Sequence, residues 1–213
     1  MNNFPIVHIN KVYHIGRIDN SRKRKNSYEG SGLSISNHPN AWLKISDRDL
    51  ESSLYEFVKN DASFLDFHEL NAVLVDEMTK WGLEMGYILC ATLYRYTFWH
   101  GDLDEEASIL FQTYEEALEE SNKDEEAIEQ IDGFIATEKM NKKVFGEPSP
   151  IDVIDLLSTL FAEHVLKIDG VWWDDDLDIS ALSAPRGVIF NSKLQEWTRT
   201  ERDFNEVEYE EEY

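Results

Sequence analysis

The segment Tyr87 to Trp99 constrains the fold more than any other part of the 213-residue chain. It is dense in aromatic and β-branched side chains, which fit a pleated surface better than the crowded turns of a helix. Its thirteen residues therefore predict a strand about twice the usual length. Arg95 interrupts it, and it falls well short of the roughly 20 apolar residues that cross a bilayer, so no membrane span is expected. Ser108 to Gln112 is its expected hairpin partner across an acidic turn.

Other elements follow from pattern. Ile6, His8 and Val12-Tyr13-His14-Ile15 read as a first strand, and Gly32 to Ser36 as a short strand with one face buried. Pro39 suits the first turn of a short helix through Ala41, Trp42 and Ile45. The spacing of Leu50, Leu54, Tyr55, Phe57 and Val58 predicts a helix over 47–59. A second helix covers Leu70 to Met85, ended by Gly86, and a third Tyr114 to Glu120. Asp132 to Ala136 is a short strand, and a well-patterned helix runs from Ser149-Pro150-Ile151 to Leu166. Val171 to Trp173 and Val188 to Phe190 read as apolar strands. The order implies an α+β fold with a mixed, mostly antiparallel sheet and several packed helices. One domain over 1–203 with an acidic tail over 204–213 is expected.

Charge narrows the function. Forty-three acids against twenty bases leave a formal net charge of -23, which excludes a general nucleic-acid binder working by phosphate neutralisation. The excess is uneven. Six bases lie between Lys11 and Lys25 against Asp19 alone, residues 101–130 hold twelve acids against Lys123, and residues 201–213 hold seven acids against Arg202. The basic stretch is a candidate to fold back on an acidic one, with no partner required. The one cysteine, Cys90, has no intramolecular partner and the first ten residues carry no apolar leader core, so a reducing cytoplasm is the expected location.

Common site chemistries are poorly matched. A calcium loop opening at Asp174 requires Gly at its sixth position and Glu at its twelfth, where the chain has Ile179 and Pro185. No two histidines are spaced i, i+4, and His68-Glu69 lacks the second histidine of a zincin, so no metal is expected. Gly30-Ser31-Gly32 precedes a strand rather than a helix, which removes a phosphate-cradling turn. Gly-x-Ser-x-Gly is absent.

Two segments stand out together: Val12-Tyr13-His14-Ile15-Gly16, and Gly30 to Ser36 followed by His38-Pro39-Asn40-Ala41-Trp42. Over roughly residues 11–45 the chain resembles the ADP-ribosyltransferase-like proteins of the histidine-containing branch. The resemblance implies NAD as cofactor, with His14 on the nicotinamide-side ribose, Tyr13 and Gly16 shaping the adjacent turn, and Ser34 or Ser36 in the second-strand position. Ile15 stands where that family has Gly, and no late Gln-x-Glu or Glu-x-Glu pair is found in a strand. Asp174 and Asp175 are the nominated late acids. Cleaving a nicotinamide glycosidic bond passes through an oxocarbenium-like state, which calls for a carboxylate and an aromatic wall. Tyr28, Trp42 and Trp173 are candidates for the wall.

Two functions remain in view. One is NAD binding with cleavage of the nicotinamide bond, and a macromolecule as a possible acceptor. The other is a non-enzymatic acidic interaction protein, an inhibitor, immunity factor or mimic of the DNA backbone, meeting a basic protein partner through residues 101–130 and 201–213.

Overall fold

The computed structural model describes residues 3–18, 32–45, 53–100, 105–140, 153–178, 180 and 183–204. Alternating side chains first divide the N-terminal strand signal in two. Strand β1 (Ile6–His8) pairs with β5 (Ser63–Asp66), while β2 (Lys11–Ile15) pairs with β4 (Leu54–Val58) in a different sheet. A short corner at Ile9-Asn10 thus feeds two sheets, a device of packed β layers.

The larger sheet has the order β1, β5, β9 (Gly170–Trp173), β10 (Arg186–Ile189), β3 (Leu33–Ile35). The β5–β9 pair is parallel and the other pairs are antiparallel. A parallel pair needs a crossover connection, and here it spans residues 67–169. The second sheet, β11 (Thr198–Arg202), β4, β2, is antiparallel throughout.

Packing follows the alternation. Val12 and Phe57 of the second sheet meet Ile35, Phe64, Trp172 and Ile189 of the first, with Trp197 among them. The opposite parity, Tyr13, Ile15 and Leu54, packs against Leu43 of α1 (Pro39–Ile45) and Phe204. On the far face of the larger sheet, Leu65, Val171, Trp173 and Val188 pack on Ala162, which directly follows α4 (Val153–Phe161) at the start of a π-helical extension, Ala162–Leu166. Helix α2 (Ala72–Glu84) then packs on α4 through Met78, Leu157 and Phe161.

The crossover also carries a separate three-stranded sheet, β7 (Glu105–Phe111), β6 (Ile88–His100), β8 (Ile128–Ala136), with α3 (Tyr114–Glu120) between β7 and β8. We refer to residues 88–136 as the arm. Its base is Ile88 and Ala136, buried with α2 and α4.

The expected α+β class is the one observed, and the long strand, its hairpin partner, α2 and α3 lie where their patterns place them. Gly86 ends α2 for a physical reason: its φ is +67°, and the bonds Tyr87 N to Gly82 O and Gly86 N to Leu83 O complete a left-handed helix stop. The helix expected over 47–59 is corrected, because 54–58 is strand β4. That strand buries Leu54 on one face and Phe57 on the other, so the simple alternation that marks a one-sided strand is missing. Strands β5 and β11 had no clear sequence signal, and β8 extends four residues before the short strand expected there. Among the described residues no helix is long and apolar enough to cross a membrane. Phe204 packs into the core cluster, whereas 205–213 lie outside the described residues.

Candidate functional site

The two segments singled out near the N-terminus are neighbours. Tyr13 and Ser36 exchange main-chain hydrogen bonds of 2.8 and 3.0 Å, joining β2 to the end of β3. His14 is 5% exposed. Its Nδ1 lies 2.7 Å from the Ser34 carbonyl oxygen and its Nε2 lies 3.4 Å from that of Arg17. A carbonyl only accepts, so the ring donates from Nδ1. The short bond ties the second sheet to the first, and leaving that donor unmade in the interior would cost about 1–3 kcal/mol.

Ser36 is committed on both sides. Its hydroxyl donates to the Pro185 carbonyl at 2.6 Å and accepts from the His38 amide at 3.0 Å. Gly16 has φ +106° and its amide donates to Ser53 O at 2.8 Å, so a turn does form there. The side chains of Tyr13 and Trp42 belong to the cluster on the outer face of β2. Strand alternation sets His14 on the inner face with Val12. The aromatic residues Tyr13 and Trp42 are therefore across the sheet from the imidazole. Tyr28 lies outside the described residues.

The nominated acids sit at the end of β9 and have other partners. The Trp172 indole donates to Asp174 at 3.4 Å. Asp175 accepts from Arg186 Nε at 2.7 Å and lies 3.3 Å from His68 Nε2. Burial raises the Asp175 carboxyl above the ordinary carboxylate range, with His68 opposing that shift. Burial also lowers Arg186 to about 10. Its guanidinium stacks 5.5 Å from the Trp173 ring centre, a cation–π contact. Arg186 thus pairs with a neighbouring acid, the role its position after Pro185 allows.

A second, part-buried ion pair holds the β4–β5 turn. Lys59 Nζ donates to Asp169 and to Glu196, each at 2.6 Å, and Asp169 also accepts from the Ser63 amide at 3.0 Å. Burial works against the lysine charge, but the two carboxylates outweigh it and its pKa is raised. Among the described residues no group of His, Cys, Asp and Glu is arranged to hold a metal ion.

The arm has the opposite electrostatics. Exposed carboxylates line it: Glu106 on β7, Glu115, Glu116, Glu119 and Glu120 on α3, Asp124, Glu125 and Glu126 in the following turn, and Glu129 and Asp132 on β8. Among the described residues only Glu129 of this set has an ion-pair partner, Arg95. Trp99 stands 61% exposed near the far end of β6. Tyr96, Phe98 and His100 form a ladder along the same strand, with ring centres 5.4 and 6.3 Å apart.

The concentration of acid in 101–130 was evident in the sequence, but its gathering on one sheet and helix was not. Comparison with protein-family models, curated proteins and solved structures returned no match.

Proposed function

We propose that the chain is a non-catalytic interaction protein that engages a basic protein partner through the acidic surface of its arm. The supporting observation is the set of exposed acids on α3, the following turn and β8, of which only Glu129 is ion-paired among the described residues. Like charges gathered on a surface raise the local potential and steer a cationic partner. Holding them together costs self-repulsion, which a basic surface relieves. The exposed Trp99, paired with Glu106 on the sheet face turned away from α3, is the kind of aromatic anchor that carries much of the energy of protein interfaces.

The test is capture from a cell extract with immobilised protein, against a variant carrying Glu115→Gln, Glu116→Gln, Glu119→Gln and Glu120→Gln. Screening shortens the electrostatic range from about 30 Å at 0.01 M salt to about 8 Å at 0.15 M. A basic protein should be retained at low salt, released as salt rises, and missed by the variant. The absence of any salt-sensitive partner would contradict the proposal.

A second reading, NAD binding and glycosidic cleavage, draws on the contact between β2 and β3 through Tyr13 and Ser36 and on the His14–Ser34 bond. It requires the His14 ring to reach a ligand from a site where it is 5% exposed. Millimolar NAD should then raise the thermal midpoint, as any ligand of the folded state does, and nicotinamide should be released. Neither effect would leave the interaction reading alone.

A further inference from the structure

We propose that Thr137 and Lys139 clamp the base of the arm, fixing the direction in which it leaves the body so that its acidic surface is held out as a rigid lever. The proposal rests on the interaction reading above and names the positioning residues that set where that surface lies.

The chain enters the arm through a short joint, Met85-Gly86-Tyr87, between α2 and β6. Gly86 turns it with a φ of +67°, and a Cβ at that position would meet nothing within 4 Å. Glycine permits the turn and supplies no side chain to brace it. Looseness here would be magnified: from Ile88 to Trp99 the strand runs roughly 36 Å at 3.3 Å per residue, so a swing of about 10° would carry Trp99 through about 6 Å.

The joint is bonded on two sides. Its amides face α2, with Met85, Gly86 and Tyr87 donating to the carbonyls of Trp81, Leu83 and Gly82 at 2.9, 3.0 and 2.8 Å. Its carbonyls face the chain that leaves the arm. Lys139 Nζ donates to Met85 O, the Thr137 hydroxyl donates to Gly86 O at 2.8 Å, and the Thr137 amide donates to Tyr87 O at 2.8 Å. The Lys139 ammonium also stands 4.6 Å from the centre of the Tyr87 ring, a cation–π contact. That ring is buried and packs on Trp81 with ring centres 5.3 Å apart. Ala136 and Met140, on either side of the clamp residues, are buried with Met78 and Leu157. The donors are thus anchored in the core that holds α2.

Carbonyls at a helix end need partners, and water supplies them where it reaches. Lys139 and Met85 are exposed, so their bond adds little stability beyond what water offers. Its contribution is direction. Bonds on one side of a joint let the following strand rock about them, whereas bonds on both sides do not. An arm already held in one direction loses less freedom when a partner binds.

Residual dipolar couplings of backbone amides in the full chain test the clamp, because amides in one rigid frame share one alignment tensor. In the unaltered protein a single tensor should fit α2 and α4 together with β6 and β8. Thr137→Val with Lys139→Met removes both side-chain donors and keeps the main-chain bond. It should split the fit in two, with the smaller magnitude on the arm, while hydrogen exchange in α2 and α4 stays unchanged. Either single replacement serves where the pair disturbs that exchange. Lys139→Arg, which keeps a donor for Met85 and a cation for Tyr87, should retain the single tensor. In the capture experiment the loosened protein should hold less of the basic partner at low salt, although every arm carboxylate is still present.

Two tensors in the unaltered protein, or one tensor in the loosened protein, would overturn the clamp, and so would equal retention of the partner by both. Failure of the unaltered protein to capture any basic protein would contradict the interaction reading, and the couplings would still decide whether the clamp fixes the arm.

Discussion

The two-sheet body and the arm treat charge in opposite ways. In the body, Asp169 is 4% exposed and bound to Lys59, Asp175 is held by Arg186, and Glu56 pairs with Arg202 at 2.7 Å. In the arm, ten described exposed acids share Arg95 and Lys123 as the only nearby bases in sequence, and one ion pair forms. Burial explains the first pattern, because a carboxylate taken out of water needs a partner. It cannot explain the second, because exposed acids gain little from folding. The body's buried carboxylates hold the fold together, while the arm's exposed acids, apart from the Glu116 and Asp124 caps and the Arg95–Glu129 pair, are available to something outside it.

The largest expected effect that sharpens this contrast is Gly170→Ala. A Cβ there would lie 1.7 Å from the Val188 carbonyl oxygen of the paired strand, and main chain cannot yield as a side-chain tip can. A loss of about 4 kcal/mol or more is expected, seen as a collapse of the urea midpoint.

Next is Lys59→Met, which strips a buried carboxylate of its cation. The cost should be about 2–3 kcal/mol, below the 3–5 of a fully buried pair because the lysine still meets water. The Lys59 pKa is raised from 10.5 in the folded protein. The pair's stabilisation is therefore complete below that value and lost as pH climbs through the higher folded value. The gap in urea midpoint between the two proteins should be constant at neutral pH and narrow above about pH 10.5, the ordinary lysine range.

Thr113→Ala should cost about 1 kcal/mol. It removes the bond from the Glu116 amide to Thr113 and half of the reciprocal cap that starts α3. Hydrogen exchange should show the loss in α3 first, with the body unchanged.

Smallest in stability is neutralisation of Glu119, Glu120 and Glu125, expected within about 0.5 kcal/mol of the parent in urea unfolding. A large loss would show that these acids serve the fold, erasing the contrast.

Legibility of the fold tracked how local its causes were. The α2 stop at Gly86 and the Thr113–Glu116 cap each lie within a few residues, and the long β6 strand declares itself by composition. Strand β4 did not, because it is paired on both edges and buried on both faces by residues far away in sequence. In β11 every residue is exposed and each is either threonine or charged, so pairing with β4 alone defines it.

The candidate site divided along the same line. The adjacency of Tyr13 and Ser36 matches two segments singled out together, but the side His14 faces depends on strand parity in a sheet that includes β4. The Trp81–Phe161 contact was less visible still, since the two rings are brought together only when two helices within the crossover dock.

The most direct test is a charge-matched comparison in the low-salt capture experiment. One variant neutralises Glu119, Glu120 and Glu125 on the arm. The other neutralises the exposed Glu69, Asp176 and Glu201 on the body. Each changes net charge by the same amount. The arm variant should lose the basic partner and the body variant should keep it. Equal losses from both would mean that total charge, not its placement on the arm, governs association, and would contradict the account.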